Sequence, residues 1–177
     1  MRLQPLACLT CLIFLVGCGG SSKGSSKAAP LAPTPDPANA TYSIEGRTVT
    51  LTNGEADQPA APGSASRNVT KLSSLATSGD LDGDGTADVA IVLTNSPGGT
   101  GTFFYVASFL STARGATPVA VLVGDRISIQ SIAVRDGELS VNYLTRPDTA
   151  PLAATPSVAA RKVFVASGGR LVPKQAP

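Results

Sequence analysis

Asp80, Asp82, Asp84 and Asp88 stand in the run Gly79-Asp-Leu-Asp-Gly-Asp-Gly-Thr-Ala-Asp88, and Val89-Ala-Ile-Val-Leu93 follows at once. Carboxylates spaced this closely repel one another unless a cation lies among them. Two glycines inside the run oppose a helix, so the segment must be a loop feeding directly into a strand. Aspartates at the first, third and fifth positions, with Gly85 at the sixth for a sharp turn, give the spacing of a calcium loop. Thr86 at the seventh position is expected to offer its carbonyl oxygen, and Asp88 at the ninth to close the site. Oxygen-only ligands suit a hard cation with six to eight partners, and calcium suits them better than magnesium, which keeps its waters. The competing reading is a solvated acidic turn, since Asp-Gly pairs are common in turns.

The rest of the chain from Thr41 onward reads as one mostly β domain, a compact antiparallel sheet or sandwich of about eight strands. Short runs rich in Val, Ile, Thr, Phe and Tyr predict strands near 47–52, 69–75, 88–94, 102–110, 118–123, 127–134, 138–144, 162–166 and 170–172. Leu139, Val141 and Tyr143 alternate with Ser140 and Asn142, the period of a half-buried strand. Ile127 and Ile129 keep one parity while Ile132 and Val134 keep the other, which predicts a bulge at Gln130-Ser131. The runs 89–93 and 103–107 are almost continuously apolar and predict central strands covered on both faces. Asp136-Gly137 and Gly168-Gly169 predict tight hairpin turns, and Asn53-Gly54 a turn without an obvious partner strand. The Ala-, Pro-, Gly- and Ser-rich stretch 55–66 predicts a long loop, and the best candidate for a helical turn lies around 108–112.

The N-terminus predicts an export address. Arg2 precedes an apolar run from Leu6 to Val16, too short to span a bilayer, which needs about 20 apolar residues. That run ends in Leu15-Val16-Gly17-Cys18, which resembles the lipobox of bacterial lipoproteins. The resemblance implies removal of residues 1–17, lipid on the Cys18 sulfur and firm anchoring by several acyl chains. Gly19 after the cysteine implies, again by resemblance, the outer membrane, with the domain facing the periplasm. Cys8 and Cys11 fall inside the leader, so the mature chain would hold no disulfide. Residues 18–40 are Gly/Ser-rich and then Pro-rich, a composition that predicts a flexible tether ahead of a domain at 41–177.

The acidic run resembles two kinds of calcium loop, that of EF-hands and dockerins and that of FG-GAP and VCBS repeats. The second is the closer match, because the twelfth position is Ile91, not the Glu of an EF-hand, and a strand follows instead of a helix. A single copy argues against a propeller. A longer pattern, Gly79–Gly85 followed by Gly98-Gly-Thr-Gly-Thr-Phe-Phe-Tyr105, Gly124-Asp-Arg-Ile127 and Val141-Asn-Tyr143, resembles a group of uncharacterised secreted bacterial proteins. That resemblance implies no particular activity.

Composition narrows function. A net charge of +2 offers no basic surface for nucleic acid, and the absence of Trp weighs against stacking platforms. His is absent, which removes the commonest general base and transition-metal ligand. Gly98-Gly-Thr-Gly101 lacks the Lys and helix start of a phosphate loop. Asp125 with Arg126, and Arg146 with Asp148, are expected to form ion pairs that pin turns. The chain therefore reads as a non-enzymatic, lipid-anchored envelope protein with one structural calcium and an unknown protein or glycan partner. The alternative is an envelope hydrolase, or an accessory to one, that uses the acidic loop catalytically.

Overall fold

The computed structural model describes residues 35–175. The predicted leader, Cys18 and the tether up to residue 34 lie outside the described residues. Within the predicted tether, Asp36 belongs to the folded part. Its carboxylate accepts the Ala38 N–H at 3.0 Å and caps a 3-10 turn, Pro37–Asn39. The Tyr42 phenol donates to the Pro37 carbonyl at 2.7 Å, and the Asn53 N–H donates to the Asn39 side chain at 2.9 Å. The segment just before residue 41 is thereby part of the domain.

The described chain is mostly β. Eleven strands follow in order: β1 (Thr41–Ile44), β2 (Arg47–Thr50), β3 (Glu55–Pro59), β4 (Arg67–Gly79), β5 (Asp88–Ser96), β6 (Phe103–Phe109), β7 (Val119–Asp125), β8 (Ser128–Arg135), β9 (Glu138–Thr145), β10 (Val158–Ser167) and β11 (Arg170–Pro173). Apart from two three-residue 3-10 turns, the described residues contain no helix. The first seven strands form one sheet in the order β2-β1-β7-β6-β5-β4-β3, and the last four form a second in the order β11-β10-β9-β8. Pairing is antiparallel throughout except between β1 and β7, which run parallel at Ser43↔Val119 and Ile44↔Ala120.

The two edges of the larger sheet are neighbours in the chain. β2 leads through Leu51 and the Asn53-Gly54 turn into β3, with a bridge between Thr52 and Glu55. The sheet therefore bends back on itself. Its inner face buries Tyr42, Val49 and Ala56 from β1, β2 and β3 against Ile91, Leu93 and Tyr105 from the centre. Its other face packs on the smaller sheet, where Ala90, Val92, Val106 and Val123 meet Leu139, Val141, Phe164 and Leu171. β5 and β6 thus serve both cores with alternate side chains, the physical reason for their unbroken apolar runs. Burying each such large side chain is worth roughly 1.5–3 kcal/mol, whereas exposed ion pairs such as Arg67–Asp57 are worth about 0–1.

All nine predicted strands are present. The bulge falls where parity switched, with the register shift between Ile129 and Ser131. Asp136-Gly137 and Gly168-Gly169 both have the paired positive φ of tight hairpins. Two strands escaped the sequence. β1 is one; β3 is the other, and it occupies the start of the predicted long loop. β3 directs only Ala56 inward and leaves its other residues exposed, so its composition is that of an edge. Of the predicted ion pairs, Arg126 does meet Asp125 at 2.7 Å. Arg146 instead donates to the carbonyl of Leu152.

The long strand β4 belongs to the larger sheet and touches β8 of the smaller one. Its register against β5 shifts between Leu72 and Ala76, and its last residues face β8. At Gly79 the approach is so close that an added Cβ would lie 2.7 Å from Val134 Cγ1 and 2.9 Å from its Cβ. Gly79→Ala is expected to lower the unfolding free energy by about 1–3 kcal/mol through overpacking, and Val134→Ala in the same chain should recover part of that loss. Urea denaturation of the two single variants and the double variant checks this; equal, additive losses would refute it.

Candidate metal site

Antiparallel order places the β4–β5 and β6–β7 connections at the same end of the larger sheet, on neighbouring strands. The first connection is the acidic loop and the second contains the 3-10 turn Ser111–Ala113. The site is built where they meet. Leu81, between two of the aspartates, is 3% exposed and plugs the core between the sheets. Its burial turns Asp80 and Asp82 outward on either side, and Gly83 and Gly85 then reverse the backbone with φ of 80° and 79°.

Asp88 opens β5 and is 1% exposed. Its carboxylate accepts the Leu81 N–H at 2.8 Å on one oxygen and the Ser111 N–H at 2.7 Å on the other. One buried charge thus ties both connections to the start of a central strand. Asp80 accepts the Gly83 N–H at 2.7 Å and the Gly85 N–H at 2.9 Å, folding the loop around its side chain. Asp82 accepts the Asp84 N–H at 3.3 Å and the Thr112 hydroxyl. One carboxylate oxygen from each of Asp80, Asp82 and Asp88 lies within 4.8 Å of the others. At that separation like charges repel by on the order of 3 kcal/mol per pair for an effective dielectric of ~20.

The other two predicted ligands are placed differently. Asp84 is exposed and outside this trio; it accepts the Ser111 hydroxyl at 2.5 Å and the Thr86 N–H at 2.6 Å. Those hydrogen bonds, the one from Ser111 foremost, hold its carboxyl below the usual carboxylate range. Thr86 enters through this N–H, and its side chain is exposed. Ser111 and Thr112 were not legible as site residues, because they stand 27 and 30 residues along the chain from the aspartates they bind. The only local signal was the turn expected around 108–112.

Each oxygen of the three carboxylates has one N–H or O–H donor and keeps a second lone-pair direction. The donor set is all oxygen, convergent and held by backbone, and it can hold a metal ion. No protein-family model, curated protein or solved structure matches this chain.

Removing the Asp88 carboxylate would leave two N–H groups at a buried position without an acceptor. Asp88→Ala is expected to cost about 2–5 kcal/mol of unfolding free energy in chelator, while Asp84→Ala, at an exposed carboxylate, costs much less. Denaturant melts of both variants without divalent ions test the contrast; comparable losses would show that the buried tie is not the dominant one.

Proposed function

We propose that this protein is a non-catalytic, lipid-anchored component of the cell envelope whose β domain is stapled by one calcium ion. The observation that carries the reading is the convergence of Asp80, Asp82 and Asp88 within 4.8 Å at the junction of two connections. The donor chemistry supports calcium, since hard oxygen ligands in a bent loop suit a large, flexible coordination shell. Gly85 turns at the sixth position of the loop, as the sequence pattern requires. The ion would neutralise charge that otherwise opposes closure. Its role is stability, because calcium modules outside the cell bind at about 10⁻⁴–10⁻³ M and remain loaded in a calcium-rich compartment. The anchor rests on Leu15-Val16-Gly17-Cys18, with lipid on Cys18 holding the domain to the outer membrane on its periplasmic side. The domain would act by binding a protein or glycan of the envelope.

Calcium at about 100 times its dissociation constant should add about 2.7 kcal/mol to folding and raise the Tm by on the order of 10 °C. Asp82→Ala should abolish the increment. Calorimetric titration and thermal melts with and without chelator measure it; a Tm indifferent to chelator would refute the staple.

Cys18→Ala should leave an unlipidated, unprocessed precursor in cells. Mass spectrometry of the membrane fraction decides this, and normal processing of the variant would overturn the anchor.

A further inference from the structure

The smaller sheet carries a groove of about 330 Å³ at the end where β8, β9 and β10 lie side by side. It is lined by Gln130, Asn142, Tyr143, Leu144, Ala159, Ala160 and Arg161, is open to solvent, and lies outside the acidic site. The extra residue of the β8 bulge, Gln130, forms part of its wall, and bulges commonly re-aim a side chain next to a binding site. Arg161 brings the only formal charge among the lining residues. It makes no ion pair and donates no side-chain hydrogen bond among the described residues, a state it shares with Arg47, Arg135 and Arg170, which do not line the groove.

The two amides are already oriented. Gln130 Nε2 donates to the Ser128 carbonyl at 3.2 Å and the Ser128 hydroxyl at 2.9 Å. Asn142 Nδ2 donates to the Ser131 hydroxyl at 3.1 Å. With the nitrogens so engaged, each amide keeps its oxygen as a free acceptor. The groove thus combines one unpaired guanidinium, two acceptor oxygens and an aliphatic stretch from Leu144 and Ala159, which share a face with Arg161 and Asn142.

We infer that this groove binds a small carboxylic acid bearing an amine or hydroxyl beside the carboxylate and an aliphatic tail, the 2-amino- or 2-hydroxy-acid class. Arg161 takes the carboxylate, for which its planar fork is the best-matched side chain. Asn142 and Gln130 accept from the amine or hydroxyl, and the aliphatic wall covers the tail. Charge sets the choice of an acid over a neutral or cationic ligand, since no lining residue is acidic. The inference goes beyond the calcium-stapled envelope reading and does not depend on it.

The test is a titration of the full ¹⁵N-labelled chain, in saturating calcium and again in chelator, with L-leucine, 2-hydroxy-4-methylpentanoate and L-leucinamide. Either acid should saturate in the millimolar range or below and shift amides of 128–131, 142–144 and 159–161. Leucinamide, and either acid against Arg161→Met, should bind at least tenfold more weakly. Asn142→Leu should weaken both acids while leaving the melting temperature within a few degrees. Shifts absent from these segments, equal binding of leucinamide, or unchanged affinity in Arg161→Met would each overturn the site. Loss of the chelator effect on stability with groove binding intact would overturn only the staple.

Discussion

The Asp88 carboxylate is the buried group that ties together the two connections meeting at that end of the fold. It sits at the first residue of a strand shared by both cores, and its two oxygens receive N–H groups from Leu81 and Ser111. A buried carboxylate is costly unless donors surround it, and two backbone donors are the least mobile it can have. The acidic loop and the turn after β6 are therefore positioned by one group. Leu81 adds an apolar anchor from the same loop, so polar and apolar terms fix the same few residues. The hydroxyls of Ser111 and Thr112 then reach Asp84 and Asp82 because the Ser111 N–H has already brought their turn into place. The remaining carboxylates face one another as a consequence of this tie.

Much of the architecture was legible because burial acts residue by residue. Strands with one wet face alternate, strands with two dry faces do not, and the runs 89–93 and 103–107 declared themselves central on that ground alone. Asp136-Gly137 declared its hairpin because those residues tolerate positive φ. Glu45-Gly46, the turn between β1 and β2, did not, since glutamate is not a turn residue for φ of 50°. Its conformation is supported from a distance: the Tyr105 phenol, buried in the inner core, donates to Glu45 Oε1 at 2.9 Å. Burial, and then this bond to Glu45, pushes the Tyr105 hydroxyl well above its ordinary value of 10.0, so it remains a donor across the physiological range. A contact 60 residues apart leaves no local mark. The parallel register of β1 on β7 was hidden for the same reason.

The candidate site divides along the same line. Asp80, Asp82 and Asp88 were readable from spacing, because a loop that turns at a glycine brings alternate side chains to one point. Asp84 was drawn away by a partner on another connection, Ser111, and spacing within the loop cannot register that competition. Leu81 carries no ligand chemistry, yet its burial is what turns its two neighbours outward. An apolar residue between two aspartates at the start of a loop is the signal that could have found it.

Hydrogen bonding and charge repulsion oppose each other in this loop, and the geometry determines how their balance bears on folding. The depressed carboxyl of Asp84 favours the folded state above the ordinary carboxylate range, and that contribution is lost as pH falls through its lowered value. The three convergent carboxylates act in the opposite sense when bare, since their charges lie within 4.8 Å of one another. A bound cation removes that repulsion at neutral pH and leaves only the favourable hydrogen bonds. The same loop is therefore frustrated without an ion and consistent with one, while the hydrogen bonds of Asp88 are satisfied in either state. An ion bound there would tighten a connection whose path the buried tie has already set.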